Sequence, residues 1–272
     1  MLKSMMNGFK SFGIAMLTAE IMEKEGISND YYLVTKYFNA LHKHKDHPKV
    51  IYMAYDSETK VSDGNIWDEI KYLDTHPPHL ILTVDKTSYK AYKRAGFNTH
   101  YIPIGYDDIH WEDKTYKRYV PASFIGTIDK ERNSIFYLRY LLYKRYDNMI
   151  FSNQIKKPEE LNKIYSKSVL GINDIILGIN QRCFEIPING ACMVVNEEIR
   201  TKLNKDFPLK EDKHYLVWDS IQKLDKFLLD MNNKENREDM IAMGQAAKEV
   251  IKKYPYSENV KEMIRKCKLK DD

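Results

Sequence analysis

The 272 residues are 43% hydrophobic and 30% charged, which describes a globular chain of one large or two small domains and excludes a disordered one. A net charge of +4, with lysines spread along the chain and no arginine-rich stripe, does not require a nucleic acid partner. No stretch is apolar enough for a signal peptide or a membrane span, so a cytoplasmic location is expected.

Met1–Met6 reads as a poor opening strand, weakened by Lys3 and Ser4. The loop at 7–13 carries Gly8, Lys10 and Gly13, and a helical stripe of Ile14, Leu17, Ile21 and Met22 follows, stopped by Gly26. Such a loop can cradle a phosphate or an acceptor, or be a plain turn; it has no G-x-G-x-x-G pattern. His42, His44 and His47 lie near Asp46, but Lys36, Lys43, Lys45 and Lys49 crowd the stretch and favour a solvated loop over a metal site. Val50–Tyr55 is a strand that ends at Asp56, a position suited to acceptor chemistry and equally to a local turn. A helix over 66–73 stops before Pro77-Pro78, and a strand over 79–84 precedes a helix over 88–95, ended by Gly96. A strand from Thr99 runs into a Pro/Gly loop. Alternating strands and helices predict a parallel, doubly wound sheet.

Residues 108–120 are polar and aperiodic, a candidate linker. Beyond it come a strand over 123–128 reaching Gly126, a helix over 134–146 preceded by Arg132, a strand at 149–151 and a helix over 158–166 opened by proline. Helices over 197–203, 220–231 and 234–254 flank a strand at 214–218. The expected organisation is a short first domain (1–110), a second domain (111–255) and a tail (256–272) that crosses back over the surface. Cys183, Cys192 and Cys267, odd in number and without C-x-x-C spacing, point to buried thiols in a reducing compartment.

The richest stretch is Asn180-Gln-Arg-Cys-Phe-Glu-Ile-Pro-Ile-Asn-Gly-Ala, set between apolar runs at 168–176 and 191–196. Two short apolar runs around one or two helical turns form the pattern of a β-α-β unit. Arg182 and Glu185, three apart, share a helix face. A fixed cation can take a phosphate, and a carboxylate can accept from a pair of sugar hydroxyls. The plainer alternative is an ordinary i,i+3 ion pair.

Phe124-Ile-Gly-Thr followed by Arg132, then Leu170-Gly-Ile-Asn, then Gly178 through Ala191, resembles the GT-B glycosyltransferases of the group typified by the CgeB-like spore maturation proteins. Leu82-Thr-Val-Asp-Lys, Tyr101-Ile-Pro-Ile-Gly-Tyr-Asp, Met243-Gly-Gln-Ala-Ala-Lys and Tyr254-Pro-Tyr-Ser are similar to other segments of that group. The resemblance covers roughly residues 50 to 264. It implies an α/β fold of two Rossmann-like, doubly wound domains facing across a cleft, with the sugar nucleotide on the second. Glu185 would then hold the donor ribose. Arg182 and Arg132 would face the diphosphate above Gly126, beside Asn180, while Gly190 and Ala191 would let the backbone pass close to the donor. The implied reaction is displacement at the anomeric carbon of a nucleoside-diphosphate sugar, a UDP-sugar first, with no cofactor. Cations and helix N-terminal amides would neutralise the leaving group. A base, where the reaction inverts, would be Asp56, then His47.

Many GT-B donor sites have a second acidic residue eight positions before the conserved one, where this chain has Leu177. The absence of any Asp-x-Asp triplet favours metal-independent chemistry. The acceptor could be a glycan, a protein, a small molecule or modified DNA, and an oligomer stays open. The short first half also admits a non-catalytic protein that binds a nucleotide or nucleotide sugar. A dehydrogenase fails on the missing G-x-G-x-x-G and its acidic partner.

Overall fold

The computed structural model describes residues 32–35, 50–54, 66–114, 116–126, 141–152, 157–174 and 179–267. The expected opening strand, glycine loop and first helix lie outside these residues, as do Gly8, Lys10, Gly13, His47, Asp56 and Arg132. The chain divides into two compact units, residues 1–104 with 256–272, and residues 105–255. The division falls ahead of residue 110 because the next residues are already tied into the second unit. The Gly105 carbonyl accepts from Gln181 Nε2 at 3.2 Å, and the Tyr106 N–H donates to the Tyr254 carbonyl at 3.1 Å.

The first unit holds strands β1 (Tyr32–Thr35), β2 (Val50–Ala54), β3 (Leu80–Thr83) and β4 (Thr99–Tyr101), all parallel and in that order. Strand β1 was not expected: four residues are too short a run to display a period. Strands β2 and β3 are buried along their whole length, as parallel strands covered on both faces are. Helix α1 (Ile66–Thr75) buries Ile66, Ile70 and Leu73, and α2 (Lys86–Arg94) starts at Asp85, whose Oδ1 accepts from the Ser88 N–H at 2.7 Å. Inside this core the buried Glu69 carboxylate accepts from Tyr52 Oη at 2.5 Å and Tyr92 Oη at 2.7 Å. The C-terminal helix, α8 (Tyr256–Cys267), belongs to this unit, where Asn259 Nδ2 donates to the Pro103 carbonyl at 3.0 Å.

The second unit holds β5 (Val120–Ile125), β6 (Ile150–Ser152), β7 (Ser168–Asn173), β8 (Cys192–Asn196) and β9 (Tyr215–Trp218). All pair in parallel, in the order β6-β5-β7-β8-β9. Its helices are α3 (Pro158–Lys167), α4 (Arg182–Ile188), α5 (Glu197–Asp206), α6 (Ile221–Asp230) and α7 (Lys234–Ile251). Strand β5 begins earlier than the expected residue 123; Pro121 is tolerated because it sits near the strand's start, where the sheet does not need its N–H. Phe124, Leu170, Ile172, Val194, Trp218 and Leu224 form the core. The chain leaves β5 for the edge strand β6 and returns to β7 on the other side. That reversal makes the carboxyl ends of β5 and β7 the switch point of the sheet, where open α/β sheets bind ligands.

Candidate functional site

Gly126 directly follows β5 and Asn173 ends β7, so both stand at the switch point. The Gly126 N–H donates to the Ser152 carbonyl at 2.9 Å. A Cβ on Gly126 would lie 2.2 Å from Arg182 Nη2, so only glycine lets this guanidinium close on the backbone. Arg182 also lies 5.8 Å from the centre of the Phe124 ring, which clusters with Tyr143 (5.1 Å) and Phe151 (5.8 Å). The helix that carries Arg182 is held from β7 by amides. The buried Asn173 offers Oδ1 to Asn180 Nδ2 at 3.2 Å, and Asn180 Oδ1 accepts the Arg182 N–H at 2.8 Å. Asn173 Nδ2 donates to Cys183 Sγ at 3.2 Å, and burial pushes that thiol up to about 11, so it is no nucleophile at neutral pH.

Arg182 and Glu185 share α4 but form no ion pair with each other. Among the described residues, neither charged group has a salt bridge or hydrogen bond. The Glu185 carboxyl is raised to about 7, first by burial; the Arg182 cation opposes this and Asp107 adds to it. A carboxyl so poised gains from any ligand that stabilises its charge. Two residues that the sequence reading passed over carry buried polar atoms on α4's own N-terminus and on α3, which packs against α4. Gln181, one turn before Glu185, donates Nε2 to the Gly105 carbonyl and keeps a buried Oε1 that has no partner among the described residues. Tyr165 on α3 is fully buried, and among the described residues its hydroxyl has no partner. A tyrosine on an apolar helix face reads as core, so sequence gave no signal for it.

Gly190 and Ala191 serve the turn after α4. Gly190 has φ +72, and a Cβ there would meet Arg118 Nη2 at 2.6 Å and Gln245 Nε2 at 2.7 Å. Ala191 is fully buried, and α7 comes so close that a Cβ on Gly244 would lie 2.3 Å from the Gly190 carbonyl oxygen. Close helix packing therefore accounts for these small residues with no ligand present. Arg118, inside the stretch taken for a linker, anchors the same turn. Its Nη2 donates to the Asn189 carbonyl at 2.6 Å, and its Nη1 donates to the carbonyls of Tyr165 (3.0 Å) and Ser168. Burial without a carboxylate partner lowers this guanidinium to about 10. A lone arginine in an aperiodic segment offers no pattern by which to find it. Among the described residues no group of three or more His, Cys, Asp or Glu could hold a metal ion, and no helix is long and apolar enough to cross a membrane.

No protein-family model matches the chain, and no curated protein sequence does. Solved structures do. HepE of Anabaena, solved in complex with UDP and glucose, has a TM-score of 0.64 at 9% identity, over 91% of this chain and 80% of that one. The E. coli trehalose-6-phosphate structure bound with UDP-2-fluoro glucose has a TM-score of 0.62 at 12% identity, over 93% and 76%. Sucrose-phosphate synthase from Thermosynechococcus elongatus has a TM-score of 0.60 at 10% identity, over 94% and 80%. With its two parallel sheets, the chain has the α/β fold of the GT-B glycosyltransferases.

Proposed function

We propose that this protein is a metal-independent glycosyltransferase that moves a sugar from a nucleoside-diphosphate donor, a UDP-sugar first, to a separate acceptor. The observation that carries the reading is the pair on α4: a guanidinium and a carboxyl one helical turn apart, at the switch point of a parallel sheet, neither paired with the other. Oppositely charged side chains so close normally pair. Left apart, they suit a ligand that is anionic at one end and bears a diol at the other, which describes a nucleoside diphosphate.

In this reading Arg182, with Arg132, faces the diphosphate, and Glu185 accepts from the ribose hydroxyls. Gly126 gives the cation its place, and Asn180 and Asn173 hold it there. As the bond between the anomeric carbon and the diphosphate oxygen breaks, negative charge grows on that oxygen. A preorganised guanidinium lowers the barrier because it need not reorganise at that moment. The base, where the reaction inverts, would be Asp56 or His47, both residues of the first unit. The likeness of the central motif to the CgeB-like spore maturation group supports this assignment, as do the UDP-bound structures that share the fold.

The test is a thermal-shift screen with UDP, GDP, ADP and CMP and their sugars, run on wild type and Glu185→Ala, followed by an assay for release of the nucleoside diphosphate. One nucleoside diphosphate at about 100 times its Kd is expected to contribute roughly 2.7 kcal/mol, about 5–10 °C, to wild type only. No shift from any nucleotide would sink the reading. Binding with no nucleoside diphosphate released, with or without acceptor mixtures, would reduce it to a nucleotide-binding protein.

A further inference from the structure

Gln181 is the residue from which α4 starts, and its own backbone is already helical. It therefore shares a face with Glu185, four residues on, whose N–H donates to the Gln181 carbonyl at 3.0 Å. Gln181, Arg182 and Glu185 are each half-buried, so this side of α4 reaches the surface. The Gly105 carbonyl, which has no proton to give, accepts from Gln181 Nε2 at 3.2 Å and so fixes which edge of the amide carries the oxygen. Oε1 is left on the other edge, buried, with no partner among the described residues. A buried acceptor without a donor destabilises the free protein, and an apolar side chain would fill the same space without that penalty.

The order of groups along the helix says what the missing donor is. At about 1.5 Å per residue, Arg182 stands about 4.5 Å from Glu185 toward the helix start, and Gln181 about 1.5 Å further the same way. With the ribose at Glu185 and the diphosphate at Arg182, the next part of a nucleoside-diphosphate sugar is the sugar itself. Ionised phosphates present acceptor oxygens only, whereas a sugar offers hydroxyl hydrogens. We infer that Gln181 is a specificity-determining residue for the transferred sugar, its Oε1 accepting from one sugar hydroxyl while the Gly105 carbonyl holds the amide in place. This rests on the donor-site reading above.

The experiment is calorimetric titration of wild type and Gln181→Met with UDP, UDP-glucose, UDP-galactose and UDP-N-acetylglucosamine, then with the deoxyfluoro analogues of the sugar that binds tightest. Melting temperatures of both free proteins accompany it. Gln181→Met is expected to bind UDP within about twofold of wild type and the UDP-sugar about 3–10-fold more weakly, the scale of one hydrogen bond. Fluorine is close to a hydroxyl in size but cannot donate. One deoxyfluoro analogue, the one lacking the partner hydroxyl, should therefore bind wild type more weakly by that factor and bind both proteins alike. Equal affinity of the two proteins for the UDP-sugar overturns the assignment. So does the same loss for UDP and UDP-sugar, which with a lower melting temperature marks a role in holding α4, or the same loss for every deoxyfluoro analogue. Wild type that binds none of the UDP compounds overturns the donor-site reading itself, whereas wild type that binds them all no better than Gln181→Met overturns only the glutamine's part.

Discussion

Arg182 is held by the absence of an atom. Because Gly126 has no Cβ, the guanidinium reaches the end of β5 over the Phe124 ring. In Gly126→Ala a methyl would occupy that place, and the flexible arginine would move. We expect UDP affinity to fall by about 10-fold while stability changes by less than about 1 kcal/mol, measured by titration and urea unfolding. Equal affinity would detach Gly126 from the site. Glu185 makes a second prediction through pH. Its folded value, about 7, stands above its ordinary 4.5, so the folded state keeps the proton longer. The group's contribution to stability is full below about pH 4.5 and is lost as pH rises through about 7, on the order of 1–3 kcal/mol. Glu185→Gln has no such loss. Its melting temperature should therefore match wild type near pH 4.5 and exceed it near pH 8, without ligand. A difference that does not grow with pH would contradict a half-buried, unpaired carboxyl.

Among the elements, α4 is unusual in being only seven residues long with Pro187 inside it and Gly190 just beyond. Its own hydrogen bonds cannot hold so short a helix; neighbours must. Asn180 and Asn173 hold its start, and Arg118 and α7 hold its end. Arg118→Met would leave three carbonyls without their donor, and we expect about 2–4 kcal/mol of destabilisation in urea. Lysine cannot span the same three acceptors, so Arg118→Lys should recover less than half. Gly244→Ala tests the other clamp. Its methyl would meet backbone, which cannot swing aside as a side chain can, so about 1–3 kcal/mol of overpacking is expected, together with weaker UDP binding as α4 shifts. If Gly244→Ala unfolds at the same urea concentration as wild type, the clamp is not tight.

For the whole molecule, the two units carry separate cores, one around Tyr52, Leu73 and Ile81 and one around Phe124, Ile172 and Trp218. The described groups assigned to the nucleotide all lie in residues 105–255. Glu69→Leu removes the acceptor of two buried tyrosine hydroxyls in the other core. It should destabilise the first unit by about 2–4 kcal/mol and leave the UDP Kd within about twofold, read by circular dichroism and titration on the same preparation. A large loss of UDP affinity would place nucleotide contacts outside the second unit.

Much of this architecture was legible in the amino-acid sequence, because fully buried parallel strands such as Val50–Ala54 and Ser168–Asn173 appear as largely apolar runs, and helices announce themselves by period and by breakers such as Pro77-Pro78 and Gly96. Spacing also put Arg182 and Glu185 on one face. It could not decide whether they pair, since that depends on Gly126 and Phe124, more than fifty residues earlier, which draw the guanidinium away. Nor could it find the roles of Arg118 and Gln181, which come from carbonyls brought near by folding and leave no local pattern. Local periodicity determined the elements and their alternation; the destination of each polar group, a matter of contacts between distant residues, was decided only by the tertiary structure.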